Sequence, residues 1–453
     1  MLYIKNHQLK TREVLMTPEQ VAAQSGNAAW MLISASLVLL MTPALALFYG
    51  GMSRQKSVLN MMMMSFGAVG VVGVVYVLWG WSMSYGSESI GGIFANPFQY
   101  FGLRDSITDS AGNYIEGASG YANIIDIGFQ LTFASISVAL ISGALAERVK
   151  FSTWLFFVGV WGTLVYFPLA HMVWGGGLLS HSSQGISAAL FGISGEKAAI
   201  APIDFAGGTV VHISAGTAAL VLALTIGKRT DFMRTPHRPH SLPLVMLGAA
   251  LLWFGWFGFN AGSAFAADGV AGLAWLNTTV ATCAAMLGWL GLERVRDGHA
   301  TSLGAASGVV AGLVTITPAA GDMTPLTSII LGAIGGALGC WGVGLKYRFG
   351  FDDTLDVVGV HLVAALWGTI GVGLLATDRG LFTGGGLDGV KLFVIQVLIA
   401  VSALVFAGML TAVIAVVLGK TVGWRVDDEA EFEGIDVAQH GESAYDSANQ
   451  DAF

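Results

Sequence analysis

Long apolar runs without charge alternate along this chain with short segments rich in charged and turn-forming residues, and that alternation predicts its architecture. Eleven runs, at about 28–52, 57–85, 127–146, 151–174, 205–227, 243–267, 270–292, 300–320, 323–345, 357–376 and 392–419, are long enough for a helix to cross a hydrocarbon core about 30 Å thick. The expected fold is an all-α polytopic membrane protein of eleven transmembrane helices. Residues 1–27 are expected to form an extracellular N-terminal tail, 28–419 the membrane domain and 420–453 a cytoplasmic C-terminal tail.

Composition agrees with a membrane solvent. Of 453 residues 54% are hydrophobic and 11% charged, with a mean hydropathy of +0.69. Sixty-two glycines suit membrane helices, whose small residues let backbones approach closely, and Gly304, Gly308, Gly312 and Gly332, Gly336 have the spacing for it, within one bundle or between subunits. The net charge of -8 argues against nucleic acid as a partner. Cys283 and Cys340 have no metal-ligand spacing and read as small core residues. The first fifteen residues lack the layout of a secretory signal, and Met16 is a second candidate start.

Lysine and arginine placement sets the orientation. Fourteen of them, from Arg54 and Lys56 through Arg148, Arg229, Arg234 and Lys346 to Arg425, fall on one side, against seven on the other, counting Lys5, Lys10 and Arg12. The richer side is expected to be cytoplasmic. Eleven spans then put the N-terminus outside and the acidic tail inside.

Two histidines interrupt this apolar pattern. His212 lies within a run that has no other ionisable side chain between Asp204 and Lys228, and its context Val-His-Ile-Ser-Ala returns around His361 as Val-His-Leu-Val-Ala. Ionisable groups inside spans usually face a bundle interior or a transport path. A separation of five spans makes the two halves run oppositely, which is an inverted five-plus-five repeat with one additional C-terminal helix, its site near the midplane. His212 is eight residues past Asp204 and His361 five past Asp356, placing them roughly 12 and 8 Å deep from opposite faces. About 10 Å then separates them, which leaves contact open. Each histidine alone also reads as a core residue bonded to a neighbouring helix. Asp204 and Asp356 read as helix caps, accepting hydrogen bonds from free backbone amides.

Other chemistry is weaker. Gly192–Gly195 (GISG) has the form of an intramembrane protease motif but falls in an outer loop. A haem held by two histidines would have to draw on His171, His212 and His361.

From Phe48 onward the chain resembles ammonium transporters of the Amt family. The resemblance is carried by FYGG at 48–51, ALISGALAERVKF at 139–151, HMVWGGGLL at 171–179, the 204–212 stretch, GWFGFNAGSA at 255–264, DVVGVH at 356–361 and EGIDVAQHGESAY at 433–445. It implies that His212 and His361 are the twin histidines of the pore, and that Phe133 and Phe259 stack to close its outer mouth. Phe133, Trp174 and Ser263 would be the ammonium recruitment site. It also implies a homotrimer and regulation by a PII-type cytoplasmic protein. The protein is expected in the plasma (inner) membrane, with no cofactor and no enzymatic activity, and the acidic tail residues Glu431, Glu433 and Asp436 are expected to pair with basic loops at 148–150 and 228–238. The chain departs from some relatives at Leu362 and Ser214, where they have glycine and asparagine; Leu362 bears on pore width. The loop 180–203 is long, and the first fifteen residues have no family counterpart.

The chemistry stands beside the resemblance. An aromatic face attracts a cation, a serine hydroxyl accepts an ammonium proton, and shedding that proton removes most of the cost of taking the ion through a dry pore. Paired neutral imidazoles line such a path and share a proton between complementary tautomers. Whether ammonia or net ammonium crosses is open. Sensing of ammonium on the same scaffold is the alternative expectation, and an intramembrane enzyme a weaker one.

Overall fold

The computed structural model describes residues 17–445 apart from residue 236; Lys5, Lys10, Arg12 and Met16, and the last eight residues of the expected tail, lie outside the described residues. Eleven apolar helices follow one another: α1 Pro18–Met52, α2 Gln55–Tyr85, α3 Asn123–Leu145, α4 Phe151–Val173, α5 Gly208–Thr225, α6 Leu242–Ala261, α7 Gly269–Asp297, α8 Ser302–Ile316, α9 Pro325–Phe349, α10 Val358–Leu375 and α11 Gly386–Thr421. Ten are long and apolar enough to cross a membrane, so the protein is a multi-pass membrane protein. In the loops, the two pairs of two-residue strands make only small hairpins.

Two boundaries differ from the expected ones for local reasons. α1 starts ten residues before the apolar run, because Thr17 and Gln20 close a capping box: Thr17 Oγ1 accepts from Gln20 N at 3.3 Å and Gln20 Oε1 from Thr17 N at 2.9 Å. The expected tail of residues 1–27 therefore ends in helix. α8 has 15 residues, about 22 Å of helix, where the run at 300–320 implied a full span. Beyond it the chain turns, and the buried amide of Asn277 donates to Ala320 O at 2.9 Å and Met323 O at 2.7 Å, satisfying carbonyls that a longer helix would have bonded itself.

Small residues bring the helices together inside the bundle. A Cβ on Gly332 or Gly336 of α9 would stand 2.2 Å from Ala281 O or 2.0 Å from Ala285 O of α7, so the two backbones are in direct contact. Cys340 is buried, but Cys283 is exposed and so is not the core residue expected of it.

At the basic end of the helices a buried ionic cluster joins the loops. Arg229 bonds Asp352 Oδ2 at 3.0 Å and Glu147 Oε2 at 3.1 Å, Arg54 reaches Glu147 at 2.6 Å, and Arg148 lies 3.9 Å from Asp352. The tail docks on this face. Lys150 N donates to Trp424 O at 2.8 Å, after which α12 (Asp428–Glu433) and α13 (Ile435–His440) fold back on it. Glu431, 3% exposed, accepts from Thr230 N at 2.7 Å, and Asp436, 1% exposed, caps the start of α2 through Leu59 N and Asn60 N at 3.0 and 2.8 Å. The tail is thus held by buried hydrogen bonds to backbone rather than by the exposed ion pairs expected; of the three acids, Glu433 alone is exposed.

Candidate functional site

Two of the apolar helices open with a turn of π-helix that carries a histidine: Gly208–Ile213 with His212 and Val358–Val363 with His361. Such turns widen the helix and recur at functional sites. Their beginnings are tied down by carboxylates. Asp204 accepts from the amides of Gly207, Gly208, Thr209 and Val210 at 2.9, 2.5, 3.0 and 3.4 Å, and from the Thr209 hydroxyl. Gly207, at φ 114°, takes the left-handed turn that wraps the chain round this carboxylate.

At the other helix the expected cap is corrected. Asp353, not Asp356, accepts from Val357 N and Val358 N, at 3.1 and 2.7 Å. Asp356 turns aside, its backbone at φ 66°, and pairs with Lys346 at 2.6 Å. Each histidine therefore lies eight residues beyond its own cap, at a matching depth of about 12 Å.

The depths meet. His212 Nδ1 and His361 Nδ1 are 3.4 Å apart, with ring centroids 5.5 Å apart and planes inclined by 20°. Both residues are at least 98% buried. One Nδ1 donates and the other accepts, so the rings hold complementary neutral tautomers. His212 Nε2 has no hydrogen-bond partner among the described residues. Trp256 stacks on His212 at 5.5 Å and 13°, held by its own Nε1 donating to Thr317 Oγ1 at 2.9 Å. Sequence reasoning missed this tryptophan, although it stands three residues before Phe259 in a motif already singled out.

Outside the histidines, Phe133 and Phe259 stack face to face at 4.0 Å and 11°. Phe259 also reaches within 6.1 Å of the His212 ring, so the phenylalanines and histidines form one aromatic column. Above it lies a cavity of about 240 Å³ lined by Phe133, Trp174, Ser263, Tyr85, Gln130 and other residues. Trp174 meets Phe133 edge-on at 6.2 Å and is anchored by Nε1 donating to Asp204 O at 2.9 Å. Ser263 donates to Phe259 O at 2.8 Å, which leaves its oxygen lone pairs free to accept. The structure thus brings together all six predicted aromatic, serine and histidine residues. Asp204 supports them and Asp356 stands apart.

Leu362 packs against Gly216: a Cβ there would come within 2.7 Å of the Leu362 Cβ, so the missing side chain on α5 makes room for the larger one on α10. Ser214 donates to its own helix, at Val210 O, 2.5 Å away. The remaining readings lose their geometry. The paired rings touch each other and leave no slot for a porphyrin, while His171 is bonded to Ser84 O and Ser89 Oγ at 3.1 and 2.8 Å. Ser194 lies on an exposed hairpin strand. Among the described residues no group of three or more His, Cys, Asp or Glu could hold a metal ion.

Comparison with known proteins places this arrangement. A profile of the Ammonium Transporter Family matches residues 29–445. An ammonium transporter of Mycobacterium bovis is 52% identical, over 93% of this chain and 91% of that protein. Among solved structures, Candida albicans Mep2 superimposes with a TM-score of 0.78 at 30% identity, covering 93% of this chain and 90% of that one. A protein described as Sensor Amt Protein does so with 0.79 at 25% identity, covering 93% and 100%. With a profile match across nearly all of its length and a relative at more than half identity, the chain belongs to the ammonium transporter family, a family of transporters rather than enzymes.

Proposed function

We propose that this protein recruits ammonium in the outer aromatic cavity, strips it of a proton and conducts ammonia, with or without the relayed proton, past His212 and His361. The observation that carries the reading is the single column running from the cavity through the Phe133–Phe259 stack to the paired imidazoles. A cation against an aromatic face gains about 0.5–2 kcal/mol, and a hydrogen bond to a charged group about 1.5–3 kcal/mol. Neither offsets the Born cost of an unpaired ion in a dry pore. Deprotonation at the stacked rings removes that cost, and the free Nε2 of His212 with the Nδ1–Nδ1 contact supplies a route for the proton.

In this reading α8 completes eleven spans, α1–α5 and α6–α10 form the inverted repeat, and α11 is the additional helix. The equal spacing from Asp204 to His212 and from Asp353 to His361 supports that symmetry. The N-terminus faces outward and the docked tail lies in the cytoplasm, where it would meet a PII-type protein; the assembly is a homotrimer in the plasma membrane. Proteoliposomes test the core of the proposal. Ammonium pulses should produce uptake with a measurable current or pH change, whose ratio gives the charge carried. A second reading, an ammonium sensor, is favoured by the likeness to the Sensor Amt Protein. It predicts saturable ammonium binding without flux, and that result would overturn the transport reading.

A further inference from the structure

The outer cavity has polar groups that the recruitment site described above does not use. Gln130 is 8% exposed, and its Oε1 and the Tyr85 hydroxyl, buried atoms of two residues that line the cavity, have no hydrogen-bond partner among the described residues. They come from different helices, Tyr85 from the end of α2 and Gln130 from α3, three residues before Phe133. A buried polar atom without a partner costs about 1–3 kcal/mol. Two of them on residues that line one space of about 240 Å³ point to a small occupant that donates hydrogen bonds.

The other walls restrict what that occupant is. Phe133, Trp174, Phe205 and Phe265 surround the space with aromatic carbon, and aromatic faces favour a cation. One turn out from Gln130 on the same helix, the buried Asp126 carboxylate accepts a hydrogen bond from Tyr121 Oη at 2.6 Å, and places an acidic group at this end of α3.

We propose that Gln130 and Tyr85 are specificity-determining residues of the outer cavity, forming with Ser263 a three-acceptor shell for a compact ammonium-type cation. This rests on the transport reading and deepens it. Ammonium has four N–H bonds, enough for three acceptors with one to spare. Each methyl group on the nitrogen removes a donor and adds bulk, so the shell counts donors. Potassium is attracted by the aromatic faces but donates to none of the three oxygens. A donor-only guest also sets the Gln130 amide with its oxygen toward the cavity.

The test is ammonium uptake by full-length protein in proteoliposomes, with methylammonium, trimethylammonium and potassium as competitors. Gln130→Met keeps volume and Tyr85→Phe keeps the ring, so both retain packing; Gln130→Glu keeps an acceptor. Apparent ammonium affinity should fall about three- to tenfold in Gln130→Met and in Tyr85→Phe, less than a full charge-assisted bond because water takes the vacated place. Preference over trimethylammonium and potassium should fall with it, and Gln130→Glu should restore that preference. Unchanged preference in both Gln130→Met and Tyr85→Phe, in protein that elutes as wild type, would overturn the proposal. Equal loss in Gln130→Glu and Gln130→Met would reduce Gln130 to packing and also overturn it. Wild-type vesicles that take up no ammonium would instead defeat the transport reading, and saturable binding with the same competitor order would then keep the three-acceptor shell as part of a sensor.

Discussion

α5 and α10 reach the same point in the molecule by differently built supports. Each opens on a carboxylate eight residues before its histidine, and each passes through a π-helical turn. Asp204, at the cavity end, closes four backbone amides and a hydroxyl on itself, and its own carbonyl holds the Trp174 indole. Asp353, at the basic end, takes two amides, and its neighbours tie it to charge: Asp352 to Arg229 and Asp356 to Lys346. The Asp204 support is a cradle of uncharged donors round one carboxylate that also positions the aromatic cavity. The Asp353 support is an ionic network whose loops carry the docked tail through Thr230 and Glu431. One histidine is therefore framed from the side of the aromatic cavity, and the other from the side where the tail docks.

The largest expected effect falls where the two supports meet. His212→Ala and His361→Ala should each cut charge-coupled ammonium transport by an order of magnitude or more, or abolish selectivity, while the protein stays folded. Ammonium-evoked current in proteoliposomes, alongside thermal unfolding in detergent, separates the two roles. A folded variant with unchanged current and selectivity would end the relay reading.

Removing the caps tests whether the two ends differ. Asp204→Ala strands several amides at once and should destabilise the protein by roughly 3 kcal/mol or more, whereas Asp353→Ala should cost about 2 kcal/mol. Asp356→Ala, which leaves the α10 cap in place, should cost less than either. Thermal midpoints of the purified variants rank them, and an Asp356 variant as unstable as the Asp353 one would reverse the assignment of the cap.

The smallest effect is one of pH. Burial pushes the Glu147 carboxyl up, but His237, Arg229 and Arg54 outweigh it and hold the group below its ordinary value. Asp352 is likewise raised by burial and lowered further by Arg148 and Arg229. For an acid depressed in the folded state, the stabilisation is complete above the unfolded value, near 4, and is lost as pH falls through the lower folded value. Acid should therefore loosen the basic end first. Hydrogen exchange at 227–240 should accelerate below about pH 4 before exchange at 204–210 does, and simultaneous release of both segments would erase the contrast.

Much of this was legible because a membrane solvent makes sequence blunt: apolar runs must be helices, and a histidine within one stands out. The runs located all eleven apolar helices but not the short ones of the tail, and the shared context of His212 and His361 marked them as a pair before any distance was known. The Amt resemblance then singled out Phe133, Phe259, Trp174 and Ser263, which line the observed column and cavity. Choices between near-equivalent local partners were not legible. Asp353 and Asp356 both precede α10, and only the place of Lys346 on α9 decides which carboxylate is drawn away and which one caps. The end of α8 at Ile316 depends on Asn277, some forty residues earlier, reaching across to the turn. Trp256 stacks on His212 with its indole held by Thr317, a residue of another part of the chain. Composition and pattern by themselves determined where helices lie in a bilayer and which side chains are out of place there. Contacts between helices decided which of the candidates meet, because a hydrogen bond or a stacked ring needs its partner within a few ångströms, and chain distance does not encode that.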